Sequence, residues 1–324
     1  MIKGREVKLI AAFSIILILF VALDLFSGDI KLGWADILAN ETSVNSSIFY
    51  DFRLPRVLCA LTVGAGLSVA GILLQTLFNN PLAGPYVLGI NSGSSLMVSI
   101  SLMIGGSALT SMGGVFTASI LGAFGYSIII LSFSKWVKSK NTLLLVGVML
   151  SSFTASIIGI IQNQASAESI KAFTIWSMGS LQTASKSESI MMLLLVFIVL
   201  IPTFFLAKQL NILKTGESNA LSLGLNTKRL RFWIIVSASV LTGVVTAYCG
   251  PIAFVGLAVP NLVRKIGKSS NHFFLIIACF MVGACVMLLC DIILQYLNVY
   301  LPIPVNALTA LIGAPIVISI LLKK

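Results

Sequence analysis

Apolar residues in this chain do not alternate with polar ones. They run on for the ~20 residues that an α-helix needs to cross a ~30 Å hydrocarbon core. Ten such stretches stand out, at 9–26, 57–78, 86–104, 111–134, 141–162, 189–207, 232–249, 251–264, 273–294 and 305–322. A membrane β-barrel alternates polar and apolar positions, so the pattern predicts helical spans in an all-α membrane protein. The eighth stretch is short and bounded by glycine and proline, which predicts a tilted or partly re-entrant element.

Three connections are too long to be simple turns. Ser27 to Arg56 ends in Asp51-Phe52-Arg53-Leu54-Pro55-Arg56, two arginines beside an apolar stretch. Asn163 to Ser187 carries enough aromatic and small residues for a short surface helix, with Trp176 as an interfacial anchor. Lys208 to Arg231 reads KQLNILKTGESNALSLGLNTKRLR. Its middle, Glu217 to Leu225, places Ala220, Leu221 and Leu223 at helix-like spacing. Gly224 is a natural helix stop there, and Thr215 or Ser218 is a candidate cap. The segment reads as a short amphipathic helix under the membrane, the alternative being an ordinary loop.

Composition sharpens this reading. The 324 residues are 58% hydrophobic and 10% charged, whereas soluble domains carry about 25% charged residues. Such a chain cannot cover a water-facing surface. Its net charge of +11 suggests nucleic acid or anionic lipid until the positions of the charges are considered. With the N-terminus inside and ten alternating spans, the inside segments hold 16 Lys and Arg: Lys3, Arg5, Lys8, Lys135, Lys138, Lys140, Lys208, Lys214, Lys228, Arg229, Arg231, Arg264, Lys265, Lys268, Lys323 and Lys324. The outside segments hold 5, namely Lys31, Arg53, Arg56, Lys171 and Lys186. The excess of inside charge predicts that both termini are cytoplasmic. The charge is then a topology signal, and no nucleic-acid partner is expected. The run from Leu9 to Leu23 is read as a retained first span, because no clean small-x-small cleavage site follows it.

Reactive chemistry is sparse. Cys59, Cys249, Cys279, Cys285 and Cys290 all lie within or at the ends of apolar runs and form no C-x-x-C pair, so free packed thiols are expected and no metal site. The one histidine, His272, opens a helix on the cytoplasmic side and is read as solvated or capping. Asp24 and Asp291 sit toward the outer ends of their spans, and no span carries a charge at its centre. Proton coupling needs titratable groups at membrane depth. There is no catalytic constellation and no phosphate-binding G-x-x-x-x-G-K-[ST] loop. If ATP drives this protein, another chain must bind it.

The second stretch is rich in small residues, Gly64, Gly66, Ser68, Ala70 and Gly71, which let helices approach closely. It ends in Asn80-Pro81-Leu82-Ala83-Gly84-Pro85. Pro81 stops the helix and Pro85 suits the first turn of the next. The predicted product is a rigid, uncharged corner buried against other protein.

Six motifs occur in order along nearly the whole chain. They are Phe52-Arg53-Leu54-Pro55-Arg56; Asn80-Pro81-Leu82-Ala83-Gly84-Pro85 followed by Leu88-Gly89 and Ser92-Gly93; Trp176-Ser177-Met178-Gly179-Ser180-Leu181; Ala220 to Gly224; Gly250-Pro251-Ile252-Ala253-Phe254-Val255-Gly256-Leu257 leading to Pro260 and Arg264; and Leu311-Ile312-Gly313-Ala314-Pro315. Together they resemble the FecCD family, the permease subunits of type II ATP-binding-cassette importers for ferric siderophores, haem and vitamin B12. The resemblance implies one ten-span permease domain over 1–324, multi-pass in a bacterial inner or plasma membrane, with a coupling segment at about 208–231. It implies a second permease subunit, a copy or a relative, and two cytoplasmic ATPase subunits that hold ATP-Mg while this chain binds no cofactor. It also implies an extracytoplasmic solute-binding protein that delivers an iron chelate. The family's coupling helix falls on Glu217, Ser218, Asn219, Ala220, Leu221, Ser222, Leu223, Gly224 and Leu225. External arginines that pair with acids of the binding protein in the vitamin B12 importer match Arg53 and Arg56. Three positions depart from the family pattern: Asn261 where histidine is frequent, Gln295 where the vitamin B12 importer has an arginine, and Pro302-Ile303-Pro304-Val305-Asn306 in place of E-x-P-x-G. They argue against cobalamin as the substrate. The alternative from another class is an ion-coupled secondary transporter, which needs no ATPase.

Overall fold

The computed structural model describes residues 4–28, 30, 44–137, 140–297 and 303–322. Lys3, Lys31, Lys138, Pro302, Lys323 and Lys324 of the sequence reading lie outside the described residues. All regular structure among the described residues is helical. The principal helices are α1 (Gly4–Phe26), α2 (Leu54–Phe78), α3 (Ile90–Met103), α4 (Met112–Trp136), α5 (Lys140–Gln164), α6 (Ala167–Met178), α7 (Lys186–Leu213), α8 (Glu217–Ser222), α9 (Thr227–Cys249), α10 (Val255–Gly267), α11 (His272–Leu297) and α12 (Val305–Leu322). A turn at Val44–Ser47 and a π-helical turn at Ile48–Arg53 run straight into α2.

Each predicted apolar stretch holds a helix, but they are not equal. Among the described residues seven helices are long and apolar enough to cross a membrane: α1, the continuous run Asn45–Phe78, and the bodies of α4, α5, α7, α9 and α11. The apolar part of α12, Val305–Ser319, is shorter. Helices α3 and α10 have 14 and 13 residues, about 20 Å each at 1.5 Å per residue. Their shortness has local causes. The chain preceding α3 is occupied by the corner, and Gly89 in a left-handed conformation (φ 78°) starts the helix. The chain preceding α10 is irregular, because Gly250 (φ 73°) ends α9, Pro251 cannot continue it, and Phe254 (φ 66°) turns the backbone.

Helix α2 is the axis of the bundle. In its most apolar window 89% of residues are buried, against 11% in α1 and 17% in α5. It is packed by α11, α9, α7 and α10. A second group, α3 with α4, α5 and α6, joins the first through α4 and α9. The peripheral helices present Leu19, Ile15 and Ile18 of α1 and Met149, Phe153 and Ile160 of α5 outward, as lipid contact requires.

The small residues of α2 explain how four helices fit around it. A β-carbon on Gly64 would land on the Gly283 carbonyl of α11, and one on Gly71 would land on the Gly256 carbonyl of α10. Backbone meets backbone at both crossings, which only glycine permits. Helix α7 starts with a capping box between Ser185 and Glu188. It contains Pro202, which has no N–H to give to the Ile198 carbonyl.

Candidate functional site

Three polar clusters at the ends of the bundle stand out among the described residues. One is the connection between α7 and α9. Helix α8 begins at Gly216 (φ 108°) with no side-chain cap. Neither Thr215 nor Ser218 caps it: the Thr215 hydroxyl donates back to the Ile212 carbonyl at 2.8 Å, and Ser218 lies inside the helix. At the other end Gly224 adopts φ 79°. The Gly224 N–H reaches the Leu221 carbonyl (2.9 Å) and the Leu225 N–H reaches the Ala220 carbonyl (3.0 Å), a Schellman closure. Asn219 Nδ2 donates to the Thr215 carbonyl (2.9 Å), and the Ser222 hydroxyl to the Ser218 carbonyl (3.1 Å). Ala220 is fully buried, whereas Leu221 and Leu223 are 57% and 67% exposed. Glu217 Oε1 accepts from Arg231 Nη2 at 3.3 Å, tying the segment to α9. An apolar pair is thus displayed on a short helix held at both ends by turns.

The second feature lies at the same end of the bundle, around the last turn of α2. Asn79 takes the left-handed conformation (φ 49°) and ends the helix two residues before Pro81. Asn80 Oδ1 accepts from the Leu82 N–H (2.9 Å), and the Asn80 carbonyl accepts from the Ala83 N–H (3.1 Å). Ala83 and Pro85 are buried and Leu82 is exposed. The corner is fastened to α10, since Asn261 Nδ2 donates to the Pro81 carbonyl (2.8 Å) and to the Leu257 carbonyl (2.9 Å). Gln75 Nε2 donates to the Leu257 carbonyl (3.1 Å) and Gln75 Oε1 accepts from Arg264 Nη1 (2.7 Å).

His272 belongs here too, and it is not solvated: only 1% of its surface is exposed. Asn211 Oδ1 on α7 accepts from the His272 N–H (2.9 Å) and lies 2.7 Å from ring Nδ1, while ring Nε2 lies 2.9 Å from Thr76 Oγ1. Histidine is therefore the capped residue rather than the cap. Sequence reading missed Asn211 because its partners stand 61 positions away.

The third feature is at the opposite end. Arg56 Nε donates to both oxygens of Asp291, at 2.9 and 2.6 Å. Gln295 Nε2 donates to Asp24 (2.6 Å) and to Asp291 (3.2 Å). Asp24 and Asp291 are buried, at 1% and 0% exposure. Arg53 donates through Nη1 to the Leu25 carbonyl (3.0 Å) and through Nη2 to the Ile30 carbonyl. Both arginines line a cavity of about 540 Å³ with Asp24, Asp51, Gln182 and Gln295. The two guanidinium groups are engaged within the chain, and Arg56 neutralises a carboxylate that the bundle has removed from water. The five cysteines are buried and unpaired.

The model of the FecCD transport family matches residues 16–323. The hemin transport system permease protein HmuU of Yersinia pestis is 32% identical, over 99% of this chain and 98% of its own. The molybdate import system permease protein MolB of Haemophilus influenzae is also 32% identical, over 95% and 94%. The vitamin B12 import system permease protein BtuC of Citrobacter koseri is 31% identical, over 99% and 96%. A solved inward-facing conformation of an ABC transporter assigned to the metal-chelate type superposes with a TM-score of 0.88 at 31% identity, over 98% of this chain and 99% of that one.

Proposed function

The chain belongs to the FecCD transport family, and we propose that it is one of two permease subunits of an importer that takes up an iron chelate, a ferric siderophore first, haem or a corrinoid next. It is a multi-pass membrane permease without a catalytic role of its own. The observation that carries the reading is the agreement of sequence and backbone with a metal-chelate type transporter over 98% of the chain. Ten spans, both termini cytoplasmic, and a copy or relative as the second permease complete the reading.

In this reading two ATPase subunits bind ATP-Mg and grip Glu217 to Leu225. The display of Leu221 and Leu223 on a segment whose Ala220 is anchored supports that role. Closure of the ATPases displaces α8 and rocks the two permeases, and the path between them opens to alternate sides. The solute-binding protein docks on the opposite end, near Arg53, Arg56 and the 540 Å³ cavity. Exposed charge pairs there contribute ~0.2–1 kcal/mol each and steer encounter more than they hold the complex.

Reconstitution tests the proposal. Vesicles carrying this chain, its permease partner, the ATPases and the binding protein are expected to accumulate a radiolabelled ferric siderophore only when ATP is present. Uptake that runs without ATPases and collapses with an ionophore would instead identify a secondary transporter.

A further inference from the structure

We infer that His272 is a positioning residue that carries the movement of α8 into the end of α2 and the corner behind it; the inference rests on α8 being the ATPase contact. Helix α8 packs on the end of α7 and the start of α9. Asn211 stands two residues before the end of α7, so any displacement of α8 reaches it first. The part of α7 that follows Pro202, from Thr203 to Leu213, is about 16 Å long at 1.5 Å per residue. It is separated from the rest of the helix by a missing backbone hydrogen bond, the usual place for a helix to bend.

Donor and acceptor counting fixes the chain of bonds. The His272 backbone N–H can only donate, so the Asn211 amide must turn its oxygen toward it. That same oxygen faces ring Nδ1 at 2.7 Å, so Nδ1 carries the hydrogen. In a neutral ring Nε2 is then an acceptor, and the Thr76 hydroxyl, 2.9 Å from it and 2.8 Å from the Ile72 carbonyl, is the donor within its reach. One imidazole therefore joins α7 to the last turn of α2, while its own backbone starts α11. The next residue along, Gln75, holds Arg264 and the Leu257 carbonyl of α10. Three residues beyond Thr76, Asn79 ends α2 and the corner begins.

Thr76 and His272 are 7% and 1% exposed. Water does not replace a partner lost there, and an unsatisfied buried polar group is costly. A hydrogen bond survives only a few tenths of an ångström of stretch. When the end of α7 moves, the end of α2 must follow or the chain of bonds must break. A bland packing contact would yield smoothly; this one is either made or lost.

The test uses the complete reconstituted complex, with ATP hydrolysis and uptake of a ferric siderophore measured in the same vesicles. Thr76→Val keeps the shape of the side chain and removes its hydroxyl. It is expected to leave ATP turnover within about twofold of wild type and to lower uptake per ATP about fivefold, a coupling change of ~1 kcal/mol. His272→Ala and Asn211→Ala are expected to do the same, and Thr76→Ser to restore wild-type coupling. Asn211 is half-buried, so Asn211→Ala decides the matter should the variants of the buried pair fail to assemble. Unchanged uptake per ATP in Asn211→Ala and Thr76→Val overturns the inference, as does a proportional fall of uptake and hydrolysis in both. Uptake by the unsubstituted complex that ignores ATP overturns the functional reading itself, and it is seen without any variant.

Discussion

Replacing Arg56 by methionine separates an inward role for this side chain from an outward one. Its Nε contacts both oxygens of Asp291, with 16% of the arginine side chain and none of the aspartate side chain exposed. Asp24, at 1% exposure, shares Gln295 with Asp291. Arg56→Met thus leaves two buried carboxyl groups bridged by one amide, without the guanidinium that contacts Asp291. At an effective dielectric constant of ~20, unit charges ~4 Å apart attract by ~4 kcal/mol. Removing one partner of a buried pair costs ~3–5 kcal/mol, because the other charge stays out of water. Unfolding of the purified chain in mixed detergent micelles, titrated with dodecyl sulfate, is expected to show a loss of that size. Adding Asp291→Asn to Arg56→Met is expected to recover most of it, since the carboxylate that Arg56 held is gone. Affinity for the binding protein at low salt is measured alongside. An Arg56→Met chain as stable as wild type to within ~0.5 kcal/mol, yet weak in docking, would refute the reasoning and return the guanidinium to an outward role.

The remaining predictions address other parts of the bundle. Gly71→Ala pushes a β-carbon into the Gly256 carbonyl and is expected to cost ~1–3 kcal/mol, read as a lower folded fraction in size-exclusion chromatography. Gly159→Ala, with open space around it, is expected to be neutral or to gain up to ~1 kcal/mol from helix propensity. Leu221→Glu combined with Leu223→Glu changes two exposed side chains; stability is expected to stay within ~0.5 kcal/mol of wild type while co-purification of the ATPases is lost. Arg53→Ala is expected to weaken binding-protein docking by ~0.2–1 kcal/mol, an effect that fades as salt rises.

The sequence announced its helices because lipid demands long apolar runs, and those runs are a local property. It announced the α8 segment and its glycine stop for the same reason: Ala220, Leu221 and Gly224 lie within one turn or two of each other. What it hid was set by distance along the chain. Arg56 finds Asp291 across 235 positions and Asn211 finds His272 across 61. No periodicity relates them, so the arginines read as outward-facing and the histidine as solvated. The short α10 was foreshadowed by the glycine and proline that bound its stretch, whereas the short α3 and the true start of α10 were hidden differently. Hydropathy sees Gly250 to Phe254 as part of an apolar run, whereas Gly250 at φ 73°, the following proline and Phe254 at φ 66° keep that stretch out of the helix. The cap of α8 was misplaced because hydroxyl residues are favoured at such positions, while here Gly216 supplies the conformation and Thr215 bonds backward.

The central position of α2 sets a problem for synthesis in the cell. This helix is made second and covered last: Phe78 leaves the ribosome 219 residues before Leu297, the end of α11. At ~5–20 residues per second that is a wait of about ten to forty seconds. During that time Gln75 and the glycine notches lack the partners that α10 and α11 later bring. Insertion machinery or a lipid-side chaperone must shelter the helix in the interval. Chains truncated before α9 are therefore expected to be cleared by membrane proteases, even though every span they contain has already been inserted.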